Sequence, residues 1–316
     1  MIKPRKAAHK AAHKAAHKSR KSKSISTSPE RAKSVASEAT LSAQQSMSTL
    51  HDWTDKLGLI GLAPLFDLMS MVLWTGQVEG EHPVSLIIVG AVGGGKTTMI
   101  EKLQCQVAPY ITDITSRKLS KVLRTNTSMT HILLGDLMSL FSHKSSVVDL
   151  SCRMLAVLSG ERIVSDPAAD EDLPQREVGF ISAIPPKDLE SRRISSRFQA
   201  GGFGSRMLFA RYEYTESTRV KIHDFIRSDA YVHIVPEAFK MEESRALVKI
   251  SKSLSHKVQA LSAVLAKRDS IGTREHHQLR ALAKASALEK GRKVVNEEDY
   301  DRLVGHIDFL GKGKEL

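Results

Sequence analysis

Two kinds of hydrophobic pattern alternate along this chain. Short continuous apolar runs, rich in β-branched residues, occur at 83–89 (PVSLIIV), 130–134 (THILL), 178–184 (VGFISAI) and 207–214 (MLFARYEY), with a weaker one at 110–114. Runs of this length bounded by turn residues predict buried strands. Between them the spacing becomes helical. Residues 62–74 read as a buried helix with Pro64 near its start, where a missing N–H costs nothing. Residues 97–107 and 137–158 carry the same period. Strands alternating with helices predict an α/β fold on a mainly parallel sheet of about five strands.

Beyond residue 232 only helical spacing remains. Leu247, Ile250, Leu254, Val258, Leu261 and Leu265 keep one face. Leu279, Leu282, Ala285 and Leu288 keep another, which stops at Gly291, a residue suited to a helix C-cap. Asn296, with Asp299 three residues on, signals the start of a third helix with the face Tyr300, Leu303, Val304, Ile307 and Leu310. The pattern therefore predicts a tail and linker over 1–46, an α/β core over 47–232 and an all-helical domain over 233–316.

Charge changes the picture only for the tail. The chain has 316 residues, 41% of them hydrophobic, and a net charge of +12. Residues 1–24 hold nine Lys and Arg and no acid, which leaves 38 basic against 35 acidic residues elsewhere. The body is thus nearly neutral. The tail carries three Ala-Ala-His-Lys repeats over 7–18 and then Ser, Lys and Arg. On a helix Lys10, Lys14 and Lys18 would share one stripe and repel, so the free tail is expected to be disordered. Its charge offers a sequence-independent attraction for the phosphates of DNA or RNA. Solubility, anionic lipid or a localisation address are its other uses. His9, His13 and His17 have a spacing that suits a metal, and a solvated repeat is the simpler reading. The two cysteines, Cys105 and Cys152, form no disulfide framework, which points to a reducing, cytoplasmic or nucleic-acid-associated setting. No apolar run reaches the length of a membrane span, and the N-terminus lacks the apolar stretch of a secretory signal.

The sharpest chemical signal comes just after the first strong strand. The run GAVGGGKT at 90–97 fits G-x-x-x-x-G-K-[ST] without departure. Its glycines, Gly90, Gly93, Gly94 and Gly95, let the backbone turn tightly, so that N–H groups from Gly90, Ala91 and Val92 through Thr98 wrap a phosphate. Lys96 is placed for β- and γ-phosphates, and the Thr97 hydroxyl for Mg²⁺. The helix that opens there adds its positive end. The strand at 131–134 ends in Gly135 and Asp136, an arrangement in which the carboxylate holds Mg²⁺ through water. Asp136 also precedes a helix, so capping is its plainer reading. The position after it, where many ATPases carry the Glu that polarises water, is Leu137. Glu161 and Asp149 are the acids available to replace it. Arg206, before the last strand, is placed to reach the γ-phosphate of a neighbouring subunit, with Arg192, Arg193 and Arg197 as competitors. Arg274 is a candidate phosphate contact from the same subunit, and Ser182 a polar sensor between Asp136 and the γ-phosphate.

Over residues 50–310 these features resemble the AAA+ ATPases. Gly90–Thr97 and Leu133–Asp136 are shared with P-loop NTPases at large. The C-terminal stretch is more specific: Gly272 to Arg274, then LRALAKA over 279–285, then VVNEED over 294–299. It is similar to the lid of minichromosome maintenance helicases and MoxR-type ATPases. There an Arg opens the lid helix, an Ala-rich helix comes next, and a Val-x-x-x-Asp turn starts the last helix. Arg274 matches that Arg, the family's sensor 2. Ser205 and Arg206 resemble its Ser-Arg-Phe finger segment, with Met207 in place of Phe. The resemblance implies ATP and Mg²⁺, a ring or helical homo-oligomer with nucleotide at subunit boundaries, and a moving lid. The expected activity is ATP-driven movement or remodelling on DNA. The alternatives are a MoxR-type protein-remodelling chaperone and a slow nucleotide switch.

Overall fold

A computed structural model describes residues 52–159, 177–192, 194, 196, 204–228, 239–241, 245–266 and 272–312. The expectations for 1–46, including the histidine repeats and the basic tail, lie outside them. The apolar runs form five strands: β1 (Ser85–Val89), β2 (Tyr110–Ile111), β3 (His131–Leu134), β4 (Gly179–Ile184) and β5 (Met207–Arg211). All pairs are parallel, in the order β2-β3-β4-β1-β5. Every residue of β1 is buried, because β4 and β5 flank it and helices cover both faces of the sheet.

Side-chain alternation divides the sheet between two cores. Leu86, Ile88, Ile181, Ala183, Leu208 and Ala210 face the first, with α1 (Ala63–Thr75) and α2 (Lys96–Glu101). Ile87, Val89, Phe180 and Ile184 face the second, with α3 (Ser116–Thr125), α4 (Met138–Phe141) and α5 (Ser145–Leu158). Topology accounts for the division. From β1 the chain travels past β4 and β3 to reach β2, then returns step by step to β5. Right-handed crossovers in opposite directions put their helices on opposite faces. The two directions part at β1, so a crevice opens at its carboxyl end, beside β4, the usual ligand position in such sheets.

The remaining elements are α6 (Pro186–Leu189), α7 (Glu216–Arg227), α8 (Lys252–Leu265), α9 (Thr273–Glu289), α10 (Glu297–Gly305) and α11 (Ile307–Lys312). Residues 47–316 cluster as one unit. The first core passes from the sheet through α1 into Val258 of α8, Leu279 and Leu282 of α9 and Leu303 of α10. The C-terminal helices thus share a core with the sheet, and α9 packs along α1. A polar group is buried at that seam: Asp67 of α1 meets Arg302 of α10 and His306, and Ser70 of α1 meets Glu289 of α9. No helix among the described residues is long and apolar enough to cross a membrane.

Several element bounds differ from the pattern, for local reasons. The helix expected over 97–107 ends at Glu101. Leu103 and Gln104 then turn the chain with bonds to residues three back, and Cys105 and Ala108 exchange backbone bonds. That turn aims the Val107 carbonyl at the N–H groups of Thr130 and His131, at the start of β3. The helix expected over 137–158 splits into α4 and α5. The face assigned from Leu247 begins only at α8, capped by the Ser251 hydroxyl. Before it the chain is extended, with bridges Val78 to Ala246 and Lys249 to Val294, and Leu247 is exposed. The Asn296 and Asp299 signal forms a reciprocal capping box, as expected. Val304 of that helix is exposed rather than part of its buried face.

His131 carries a testable pH dependence. It is wholly buried beside Gly179, with Thr130 Oγ1 bonding Nδ1 and Nε2–H donating to the Val84 carbonyl at 3.2 Å each. Burial lowers its pKa to about 4. The unfolded chain therefore binds a proton first, starting near the ordinary value of about 6.5. Stability from this residue is full above that value and is lost as pH falls towards 4, by up to about 3 kcal/mol. Thermal unfolding between pH 7 and 4 should show this loss in the wild type and a flatter profile in His131→Gln.

Candidate functional site

β1 delivers the chain to the Gly-rich loop at the crevice. Two glycines are required by contact. A Cβ on Gly90 would lie 2.5 Å from the Tyr212 ring. Gly95 has φ +76° and would set a Cβ 2.9 Å from Leu59 Cδ2. Tyr212 and Tyr214, just beyond β5, both donate their hydroxyls to the Gly94 carbonyl, Tyr214 at 3.1 Å. Their rings meet edge to face with centroids 5.5 Å apart. Burial raises both phenol pKa values, that of Tyr214 to about 12, so both stay protonated donors. The peptide unit is planar and trans, so a Gly94 carbonyl held by the tyrosines turns the Gly95 N–H away from them.

Lys96 opens α2 and is largely buried. Its ammonium donates to the carbonyls of Gly90 at 2.7 Å and Ala91 at 2.6 Å. Burial lowers its pKa, opposed by the fields of Asp136 and Asp188. Next in the chain, the Thr97 hydroxyl donates to the Gly135 carbonyl at 3.3 Å, which ties the loop to the end of β3. Asp136 is exposed, and its Oδ1 accepts the N–H of Met138, the first residue of α4, at 2.9 Å, although Leu137 is the N-cap of that helix. That bond uses one carboxylate oxygen, while the field of the carboxylate still acts on Lys96. A hydroxyl and a carboxylate beside a lysine form the hard-oxygen, low-denticity set that suits Mg²⁺ shared with phosphate. Among the described residues no group of three or more His, Cys, Asp or Glu is placed for a metal.

Leu137 is fully buried in the second core, and its N–H donates to the Ala183 carbonyl at 2.9 Å. A carboxylate there would point into hydrocarbon. Asp149 is an exposed residue of α5. Glu161, Arg193 and Arg197 lie outside the described residues, and Arg192 is exposed.

Three candidates fall elsewhere. Ser182 is not at the tip of β4. It pairs with Leu134 and Ile87, two residues inside the strand end, and is fully buried with no hydrogen-bond partner for its hydroxyl among the described residues. Alternation turns it to the face of Phe180 and Ile184, away from the sensor position expected for it. Arg206, in the turn Gly204–Arg206 before β5, and Arg274, in the first turn of α9, line one cleft of about 290 Å³. Glu81, Ser85, His277, Gln278 and Arg280 share it. Ser85 begins β1, whereas the Gly-rich loop leaves its other end, about 13 Å along the strand at 3.3 Å per residue. α9 packs on α1 and places Arg274 in this cleft with Ser85, at the other end of β1 from the Gly-rich loop. Glu81 in this cleft pairs with Arg280 at 2.9 Å and Lys284 at 2.6 Å.

Sequence reasoning missed Tyr212, Tyr214 and Asp188. A Tyr-x-Tyr pair leaving a strand and an acid just after Pro185 and Pro186 were the available signals. No protein-family model matches the chain, and no curated protein matches it in sequence.

Proposed function

We propose that this chain is an AAA+-type ATPase that uses ATP and Mg²⁺ to drive movement or remodelling on DNA. The observation that carries the reading is the convergence of the Gly-rich loop, Lys96, Thr97 and Asp136 at the carboxyl end of β1, where the sheet topology opens a crevice. In this reading the loop N–H groups and Lys96 hold the β- and γ-phosphates, and Thr97 and Asp136 hold the metal. Bound Mg²⁺ would neutralise charge across the β- and γ-oxygens. Tyr212 and Tyr214 fix the Gly94 peptide, so the loop needs little reordering when phosphate arrives. The cleft holding Arg206 and Arg274 lies on the opposite edge, which favours a homo-oligomer in which both arginines meet the phosphates of the next subunit. The basic segment 1–24 supplies attraction for DNA or RNA.

A second reading, an ATP-dependent switch with slow turnover, is favoured by Leu137 in place of an acid. One experiment separates the two: ATP hydrolysis by the purified full chain with and without single- and double-stranded DNA. DNA-stimulated hydrolysis, with a salt dependence that flattens when residues 1–24 are deleted, is the expected result. Nucleotide retained without turnover under every condition would select the switch.

A further inference from the structure

We infer that Asp188 is the acid that aligns and deprotonates the attacking water, in the role that the residue after Asp136 does not fill. The inference rests on the ATP reading above. Backbone bonds place the end of β4 between the two halves of the site. On one side Gly90 N–H donates to the Ile184 carbonyl at 3.4 Å, and Val89 pairs with Ile184. On the other side Leu137 N–H donates to the Ala183 carbonyl at 2.9 Å. The chain leaving Ile184 must therefore emerge between the Gly-rich loop and Asp136. It continues as Pro185, Pro186, Lys187 and Asp188. The first of these cannot donate to a sheet ladder, and the second starts α6. Asp188 sits in that single turn, its N–H held by the Pro185 carbonyl at 3.2 Å, and is half-buried. Its carboxylate and that of Asp136 both exert a field on the Lys96 ammonium.

The two acids then have separate tasks. Asp136 is held through the Met138 N–H and lies next to Gly135, whose carbonyl receives the Thr97 hydroxyl, so it belongs to the metal side. Asp188 comes from the neighbouring strand, with no metal-side partner in its turn. Leu137 is committed to the core, and an acid one strand over restores a base to the crevice without burying a charge. In the step, the water oxygen bonds to the γ-phosphorus while the bond from that phosphorus to the β–γ bridging oxygen breaks. The electron pair stays on the bridging oxygen of ADP. The water proton passes to Asp188 and then to solvent, leaving ADP and inorganic phosphate.

The test is Asp188→Asn in the full chain, read in two ways. Equilibrium titration with a fluorescent ATP analogue should give a Kd within about threefold of wild type, since the loop and Lys96 are untouched. Single-turnover hydrolysis should fall by about 100-fold or more, the size of a lost general base. Capture of ADP with aluminium fluoride, which requires an aligned water, should be lost in Asp188→Asn and partly regained in Asp188→Glu. Asp149→Asn should match wild type in both assays. Hydrolysis and fluoride capture unchanged in Asp188→Asn would overturn the assignment while leaving the ATP reading intact. A loss of analogue binding as deep as that of Lys96→Ala would also overturn it, by making Asp188 a binding residue. Failure of the wild type to bind the analogue would remove the ATP reading and this inference together.

Discussion

Replacing Asp67 with alanine is expected to destabilise the fold by about 3–5 kcal/mol, the cost of removing one partner from a buried ion pair. Asp67 stands in α1 with its side chain 9% exposed, against an Arg302 side chain that is 16% exposed. The pair is bidentate: Arg302 Nη2 reaches Oδ1 at 2.6 Å and Nε reaches Oδ2 at 2.9 Å. His306 Nε2 adds a third contact at 2.8 Å. Arg302 is shared with Glu289 and with Ser286, whose hydroxyl in turn donates to Asp299 at 2.8 Å. Removing Asp67 strips two of the guanidinium's bonds and one from His306, inside a seam that joins α1, α9 and α10. Burial pushes the Asp67 pKa up, but hydrogen bonds from His306 and Arg302 outweigh it and hold the carboxyl well below its ordinary range. The stability it contributes is thus present above the ordinary carboxylate value of about 3.9 and is lost as pH falls below it towards the depressed folded value. Urea unfolding at pH 7 should show the deficit for Asp67→Ala and a smaller one for Asp67→Asn, which keeps the shape. In heat, a drop on the order of 10 °C is expected for a chain of this size. An unfolding midpoint within about 2 °C of wild type would show that the seam is held by its apolar contacts alone.

That seam was not legible in the sequence, and the reason is general. Asp67 and Arg302 are 235 positions apart, and Asp67 interrupts a run that pattern reading assigns wholly to hydrocarbon. Local features were read well because their cause is local. The apolar runs became strands because a continuous run can only be buried on both faces, and the Asn296 and Asp299 cap formed because both partners lie within one turn. The Gly-rich loop was legible for the same reason. Strand order decides the rest of the site. Tyr212 meets Gly94 because β5 lies beside β1, and the field of Asp188 reaches Lys96 because β4 lies between β1 and β3. Neither neighbour relation is written in residue spacing. Arg274 shows the converse: its motif was recognisable, but the packing of α9 on α1 fixes the edge of the sheet where it stands. Helix α7 escaped notice because none of its residues is fully buried: only Thr218, Ile222 and Phe225 form a half-buried face, with Thr218 and Phe225 beside Gly61 and Gly58.

Lys96→Ala is expected to lower affinity for a fluorescent ATP analogue by at least about 100-fold while leaving the chain folded. Lys96 is 9% exposed, and its ammonium holds the Gly90 and Ala91 carbonyls at 2.7 and 2.6 Å. Those contacts keep a cation at the mouth of the loop before any ligand arrives. Exchanging two neutral carbonyls for anionic phosphate oxygens adds charge on the acceptor side as well as the donor side, and hydrogen bonds to charged groups are worth about 1.5–3 kcal/mol each. Two such bonds amount to about 3–4 kcal/mol after the exchange, hence two to three orders of magnitude in Kd. The fold should lose much less. The Ala91 carbonyl lies near solvent, and alanine removes the burial cost that lowers the Lys96 pKa. Lys96→Arg is expected to bind as poorly as alanine, since a planar guanidinium cannot fit a buried slot made for a point charge between two carbonyls. Far-UV circular dichroism and thermal unfolding fix the folding side, and fluorescence titration fixes the binding side. If Lys96→Ala bound the analogue like wild type, the loop amides alone would hold the ligand, and the lysine would serve only to brace Gly90 and Ala91.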